Sequence, residues 1–161
     1  MYPALNRNKP LFWGVLLLCF GLSGPVTACP DVASAEELLS PLHALYAADE
    51  AGDLEAVMSS YSSNPVLLPP AGTPIEGRDK VRASYVSLFA NASLKITPEL
   101  QEWHACDDMG FVRGVNRVGL FSKKTGFVTT RVDQFLAILL RQDGNWLVHR
   151  LMWSEANPQS R

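Results

Sequence analysis

The stretch FVTTRVDQFLAILLR, residues 127–141, decides the fold. Val, Thr, Phe, Ile and Leu dominate it and neither Gly nor Pro interrupts it, which is the composition of a β-strand. It is also far longer than the usual strand of about five or six residues, too long to lie flat over a small domain. Such a strand bends, and a bent sheet acquires a concave side. Side chains alternate along it, so Asp133, Phe135, Ala137 and Leu139 share one face while Val128, Val132, Leu136, Ile138 and Leu140 share the other. Two apolar faces both need cover.

Working outward, three more segments share this composition: 94–104, 111–122 and 146–155. Turn chemistry separates them at Asp107-Asp108-Met109-Gly110, Lys123-Lys124-Thr125-Gly126 and Gln142-Asp143-Gly144-Asn145. The four read as one antiparallel meander.

Upstream the period changes to helical. Ser40-Pro41 reads as an N-cap followed by proline at the first helical position, opening a helix in which Leu42, Leu45, Tyr46 and Ala48 share a side, up to Gly52. Ser34 with Glu37 caps a single turn in the lead-in before it. Asp53 caps a second short helix through Leu54, Val57, Met58 and Tyr61, and Asn64-Pro65 stops it. Val66-Leu67-Leu68 is a short strand that Pro69-Pro70-Ala71-Gly72 cannot continue. A third helix spans about Arg78 to Ala90, with Val81, Tyr85, Leu88 and Phe89 inward. Helices first and a long meander after them make an α+β domain whose helices cover one sheet face and leave an interior pocket.

The first 28 residues have another job. Arg7 and Lys9 form a positive head, Leu11 to Leu22 an apolar run, and Val26-Thr27-Ala28 a small-residue cleavage region, which together read as a signal peptide. Gly21, Ser23, Gly24 and Pro25 break the run before it reaches the roughly 20 apolar residues of a membrane span. The organisation expected is a leader at 1–28, a tether at 29–39, the folded domain at 40–157 and a tail at 158–161. The cleavage region also resembles a bacterial lipobox, because Cys29 follows Ala28 directly. Lipidation at Cys29 would hold the domain at the periplasmic side or the cell surface; ordinary cleavage at the same Val-x-Ala would release it soluble. In the first case Cys106 is a lone thiol, and in the second it can pair with Cys29 in an oxidising compartment.

Charge and composition exclude other classes. The chain carries a formal charge of −2, and losing Arg7 and Lys9 makes it more negative still. No basic stripe interleaved with aromatics occurs, so nucleic acid is not an expected partner. His104-Ala105-Cys106 is one isolated pair, so no metal site is expected, and no motif calls for a cofactor.

Five pieces of the chain, in order and spacing, resemble the NTF2-like superfamily, within it the SnoaL-like and ketosteroid-isomerase-like branch. They are Ala51-Gly52-Asp53-Leu54 with Tyr61, Val66 to Gly72, Glu76-Gly77-Arg78 with Tyr85, Val132-Asp133-Gln134-Phe135, and Arg141 to Trp146. The resemblance implies a cone, a strongly bent antiparallel sheet wrapped around N-terminal helices. It covers isomerases, cyclases, hydrolases and pure binding domains, so it does not by itself give function. Carried over by position, the isomerase base falls on Pro69, which cannot move a proton, and the oxyanion-binding tyrosine falls on Leu45. The neutral carboxyl of the long strand falls on Asp133, the third-helix tyrosine on Tyr85, and a pocket aromatic on Trp153.

These residues set two expectations. One is a binding module that takes a small apolar or amphipathic molecule in a pocket formed by Leu45, Tyr85, Asp133, Phe135, Leu151 and Trp153, without isomerase-type catalysis. The other is a lyase, isomerase or cyclase in which Asp133, with Tyr85 or with His149 from the same strand face as Leu151 and Trp153, transfers a proton beside a carbonyl. The apolar outer face of the long strand also predicts a homodimer, or an assembly role. Membrane contact is expected only through the leader or a lipid on Cys29.

Overall fold

The computed structural model of the chain describes residues 33–156. The leader, Cys29 and the tail beyond residue 156 lie outside the described residues. Three helices and six strands follow in the order α1 (Ala35–Ala51), α2 (Leu54–Ser59), β1 (Tyr61–Leu68), β2 (Ile75–Glu76), α3 (Arg78–Asn91), β3 (Ala92–Cys106), β4 (Met109–Ser122), β5 (Val128–Gln142) and β6 (Asn145–Glu155).

α1 begins earlier than the Ser40-Pro41 signal predicts. Ser34 and Glu37 form a full capping box: the Ser34 hydroxyl accepts from the Glu37 N–H at 3.2 Å, and the Glu37 carboxylate accepts from the Ser34 N–H at 2.8 Å. Pro41 then sits inside the helix, buried. The reciprocal cap and the burial of Leu38, in the first turn, outweigh the one backbone bond a proline removes. Residues 35–39 are thus part of the domain and not of a tether. Gly52, in the left-handed region at φ 68°, closes the helix, and the Asp53 carboxylate caps α2 by accepting from the Glu55 and Ala56 N–H groups.

The strands form one sheet in the order β2-β1-β6-β5-β4-β3. β3 to β6 are the expected antiparallel meander, within two residues of the expected ends. β1 departs from expectation in two ways. It starts at Tyr61 and carries Asn64-Pro65 through a register break, and it pairs parallel with β6. The sheet is therefore mixed at that edge. Pro65 is tolerated because it falls in the irregular part of the pairing, between Tyr61 and Val66.

Arg78 holds this edge to the helices. Its guanidinium donates to the carbonyls of Met58, Tyr61 and Ser62, tying the end of α2 and the start of β1 to α3. The core joins Leu38, Leu42 and Leu45 of α1 to Val57, Met58, Val81, Val112, Leu139 and Val148. Gly114 lets β3 and β4 approach at their bend, since a Cβ there would lie 2.3 Å from the Glu99 carbonyl oxygen. β3 shifts register just beyond, between Leu100 and Glu102, which is where the long ladder bends.

Candidate functional site

The concave side of the sheet encloses a cavity of about 330 Å³. Its lining is mainly apolar, with Leu67, Ile75, Leu88, Leu94, Ile96, Val118, Leu120 and Leu151 around it and the rings of Tyr46, Tyr85, Phe135 and Trp153 on its walls. The polar groups converge from three elements.

β5 supplies Asp133, 2% exposed, with Arg131 two residues away on the same face. The Arg131 Nε donates to both carboxylate oxygens, at 3.0 and 2.8 Å, so the buried charge is paired. β4 supplies Asn116, directly across from Asp133 in the ladder. Its Nδ2 donates to the Tyr46 hydroxyl at 3.0 Å, while its Oδ1 is buried with no partner.

α1 supplies Tyr46 and Asp49, one turn apart on the helix face. Asp49 is 4% exposed and its Oδ1 is buried with no hydrogen-bond partner. Burial alone pushes its carboxyl up to about 7. The phenols respond in the same direction. Burial raises Tyr46 and Tyr85 well above the ordinary tyrosine range, with the nearby Asp49 adding to both.

The expected pocket residues are mostly together. Tyr85, Asp133, Phe135, Leu151 and Trp153 all line the cavity. Phe135 and Trp153 are ladder partners, as are Ala137 and Leu151. Pro69 also lines it, at the exit of β1. Tyr85 spends its hydroxyl on Tyr61, 2.8 Å away, rather than on Asp133.

Two residues differ from expectation. Leu45 is fully buried in the core between helix and sheet and does not reach the cavity; Tyr46 takes the wall position instead. His149 does not share a face with Leu151 and Trp153. A bulge in β6, where Ile138 pairs Arg150 and Leu139 pairs Val148, leaves His149 unpaired and breaks the alternation. Its Nδ1 lies 2.9 Å from the Ser62 hydroxyl of β1, away from the cavity, and burial lowers its pKa, with the neighbouring Arg150 adding to the effect.

Asp49 is the residue that reading the sequence missed. Leu38, Leu42, Leu45 and Tyr46 form a buried stripe at helical spacing, and the next place on that stripe is Asp49. A carboxyl in a core position of an amphipathic helix was the available signal.

Cys106 is disulfide-bonded. The other cysteines of the chain, Cys19 and Cys29, lie outside the described residues.

Comparison with known proteins agrees with this architecture. No curated protein matches the chain. Among solved structures, a ketosteroid isomerase-like protein from Erwinia carotovora atroseptica is 26% identical, with a TM-score of 0.70 over 78% of this chain and 100% of that one. A conserved protein from Planctomyces limnophilus is 15% identical, with a TM-score of 0.68 over 74% of this chain and 95% of that one. A provisionally named dehydratase of the NTF2-like family from Streptomyces avermitilis is 18% identical, with a TM-score of 0.65 over 75% of this chain and 95% of that one. These likenesses concern the curled sheet over N-terminal helices. The family model described as a SnoaL-like domain matches residues 42–149. The chain belongs to the SnoaL-like domain family.

Proposed function

We propose that the protein is an exported binding module that takes one small, mainly apolar molecule in the cavity under the curled sheet. The observation that carries this reading is the cavity itself. It is of a size that suits a small ligand, its walls are aliphatic and aromatic, and its few polar groups point inward from α1, β4 and β5. Asp49 and Asn116 each keep a buried oxygen without a partner, a cost that a bound polar group offsets.

The proton-transfer reading built on Asp133 with Tyr85 or His149 loses its means. Arg131 holds Asp133, Tyr61 engages Tyr85, His149 lies on the far side of a bulge, and Pro69 stands where the isomerase-like base would be.

The neutral dye N-phenyl-1-naphthylamine tests the binding reading. Its fluorescence should rise saturably at one site per chain. Val118→Trp, and Leu120→Trp at the half-buried part of the wall, should weaken that binding by about ten-fold or more, because each indole occupies the ligand's space. Unchanged binding in both folded variants would remove the cavity from the account.

Export rests on the leader composition and gains support from the disulfide at Cys106, since such bonds persist in oxidising compartments. Cys19 leaves with a cleaved leader, so a bridge that survives processing has Cys29 as its partner. A sulfur engaged in that way carries no lipid. If Cys29 is the partner of Cys106, the released form stands ahead of the lipid-tethered one. Intact mass of the native protein decides between them: a mature chain two hydrogens lighter than its reduced form fits the bridge, and added acyl mass on Cys29 restores the tether.

A further inference from the structure

Apart from the phenols of Tyr46 and Tyr85, the ionisable side chains on the cavity wall are two carboxyls and one guanidinium: Asp49, Asp133 and Arg131. The guanidinium is taken, because both oxygens of Asp133 accept from Arg131. Among the described residues no group of opposite charge pairs with Asp49. There its Oδ1 is one of two buried side-chain oxygens with no hydrogen-bond partner, and the other, Asn116 Oδ1, belongs to the residue bonded to Tyr46, one helical turn from Asp49. With Asp49 ionised both orphaned atoms are acceptors, and both lie in a wall that also carries the rings of Tyr46, Tyr85, Phe135 and Trp153.

With both carboxyls ionised, the cavity is one positive charge short. A group that completes it must donate hydrogen bonds, carry a positive charge and sit against aromatic faces. An ammonium does all three, through several N–H donors, an ion pair in a dry site and cation–π contact. A hydroxyl has one donor and no charge, and a carboxylate brings only acceptors to atoms that already lack donors.

Resting on the binding reading above, we infer that the cavity is a site for a small monoamine with an apolar body, whose ammonium seats on Asp49 beside Asn116 and Tyr46. The apolar part lies against Leu94, Val118, Leu120 and Trp153. In the free protein Asp49 avoids an unpaired charge by holding a proton, consistent with the upward push that burial gives its carboxyl. Amine binding replaces that proton with the ligand's charge, so a proton is released as the ion pair forms.

The titratable groups facing Asp49 do not obscure this linkage. Tyr46 on its own helix, Tyr61 on β1 and Tyr85 on α3 are phenols pushed upward by burial, and they stay neutral across the range tested. Arg131 and Asp133 on β5 are paired with each other. The wall residues from β3 and β6, Leu94, Ile96, Leu151 and Trp153, do not titrate.

The test displaces N-phenyl-1-naphthylamine with phenethylamine and with its uncharged isostere 2-phenylethanol, at pH 6 and pH 8. Phenethylamine should bind about ten-fold tighter than the alcohol at pH 8, and its affinity should rise by about ten-fold from pH 6 to pH 8 as Asp49 gives up its proton. Asp49→Asn, close in shape, should remove both the preference and the pH dependence, with the dye's own affinity measured in that variant so that displacement is read against it. An alcohol that binds as tightly as the amine, or an amine affinity that falls with rising pH, would overturn the inference. So would failure of both ligands to displace a dye that Leu120→Trp still excludes, and in that case the cavity remains a binding site for another class of molecule. Dye binding indifferent to both Trp variants would instead overturn the binding reading, and this inference with it.

Discussion

Asp49 shows how much one position can carry. Its carboxyl is buried without a cation, and burial pushes it up to about 7. In the unfolded chain an aspartate ionises near 3.9, so between these values the unfolded state is charged and the folded state is not. For an acid with a raised folded pKa, stability is fully present below the unfolded value and is lost as pH rises toward the folded one. The protein should therefore lose up to about 4 kcal/mol between pH 4 and pH 7 on this account, and Asp49→Asn should flatten that slope. Urea melts across this range check it, and equal slopes in the two proteins would contradict the burial argument. Asp133 contrasts with Asp49, because Arg131 compensates its charge. Replacing Arg131 with Met would leave a buried carboxylate alone and should cost about 3 kcal/mol or more, read from the same melts at pH 7.

At the scale of elements, most of the fold was legible and the failures share a cause. The turns at Asp107 to Gly110, Lys123 to Gly126 and Gln142 to Asn145 punctuate the chain so clearly that β3 to β6 fall within two residues of expectation. α3 likewise starts at Arg78, as its periodicity predicts. What was not legible depends on pairing. The bulge at His149 moves one residue out of the alternation, and strand composition contains no signal for it. The parallel union of β1 with β6 is likewise a contact between segments far apart in the chain. α1 was misplaced for a local reason: two caps compete, and the reciprocal Ser34–Glu37 box wins over Ser40-Pro41 because it adds a turn that buries Leu38. Ser34→Ala should then cost about 1 kcal/mol in thermal or chemical melts, whereas a helix that starts at Pro41 would not notice the change. The bend in the ladder has its own check. Gly114→Ala places a methyl 2.3 Å from a main-chain oxygen, and Gly119→Ala meets nothing closer than 3.9 Å. The first should lose about 1–3 kcal/mol and the second less than 1, and a reversed order would contradict the bend.

For the whole molecule, the curled sheet has two surfaces with different uses. Helices close the inner one over the cavity, and Leu136, Ile138 and Met152 lie on the outer one, half-buried or exposed. We propose that a second copy of the chain covers that face. Light scattering at micromolar concentration should find a dimer, and Leu136→Lys should release folded monomers whose melting temperature no longer depends on protein concentration; a wild-type monomer would remove the dimer.

The central claim is that a ligand enters under the sheet. Three tryptophans lie among the described residues, of which Trp153 lines the cavity while Trp103 and Trp146 do not. Titrating phenethylamine or N-phenyl-1-naphthylamine into nitrogen-15-labelled protein reads this directly through their indole N–H signals and the side-chain amide of Asn116. Binding under the sheet predicts saturable shifts at Trp153 and Asn116 with Trp103 and Trp146 nearly still. Shifts confined to Trp103 or Trp146, or none at saturating ligand, would contradict it.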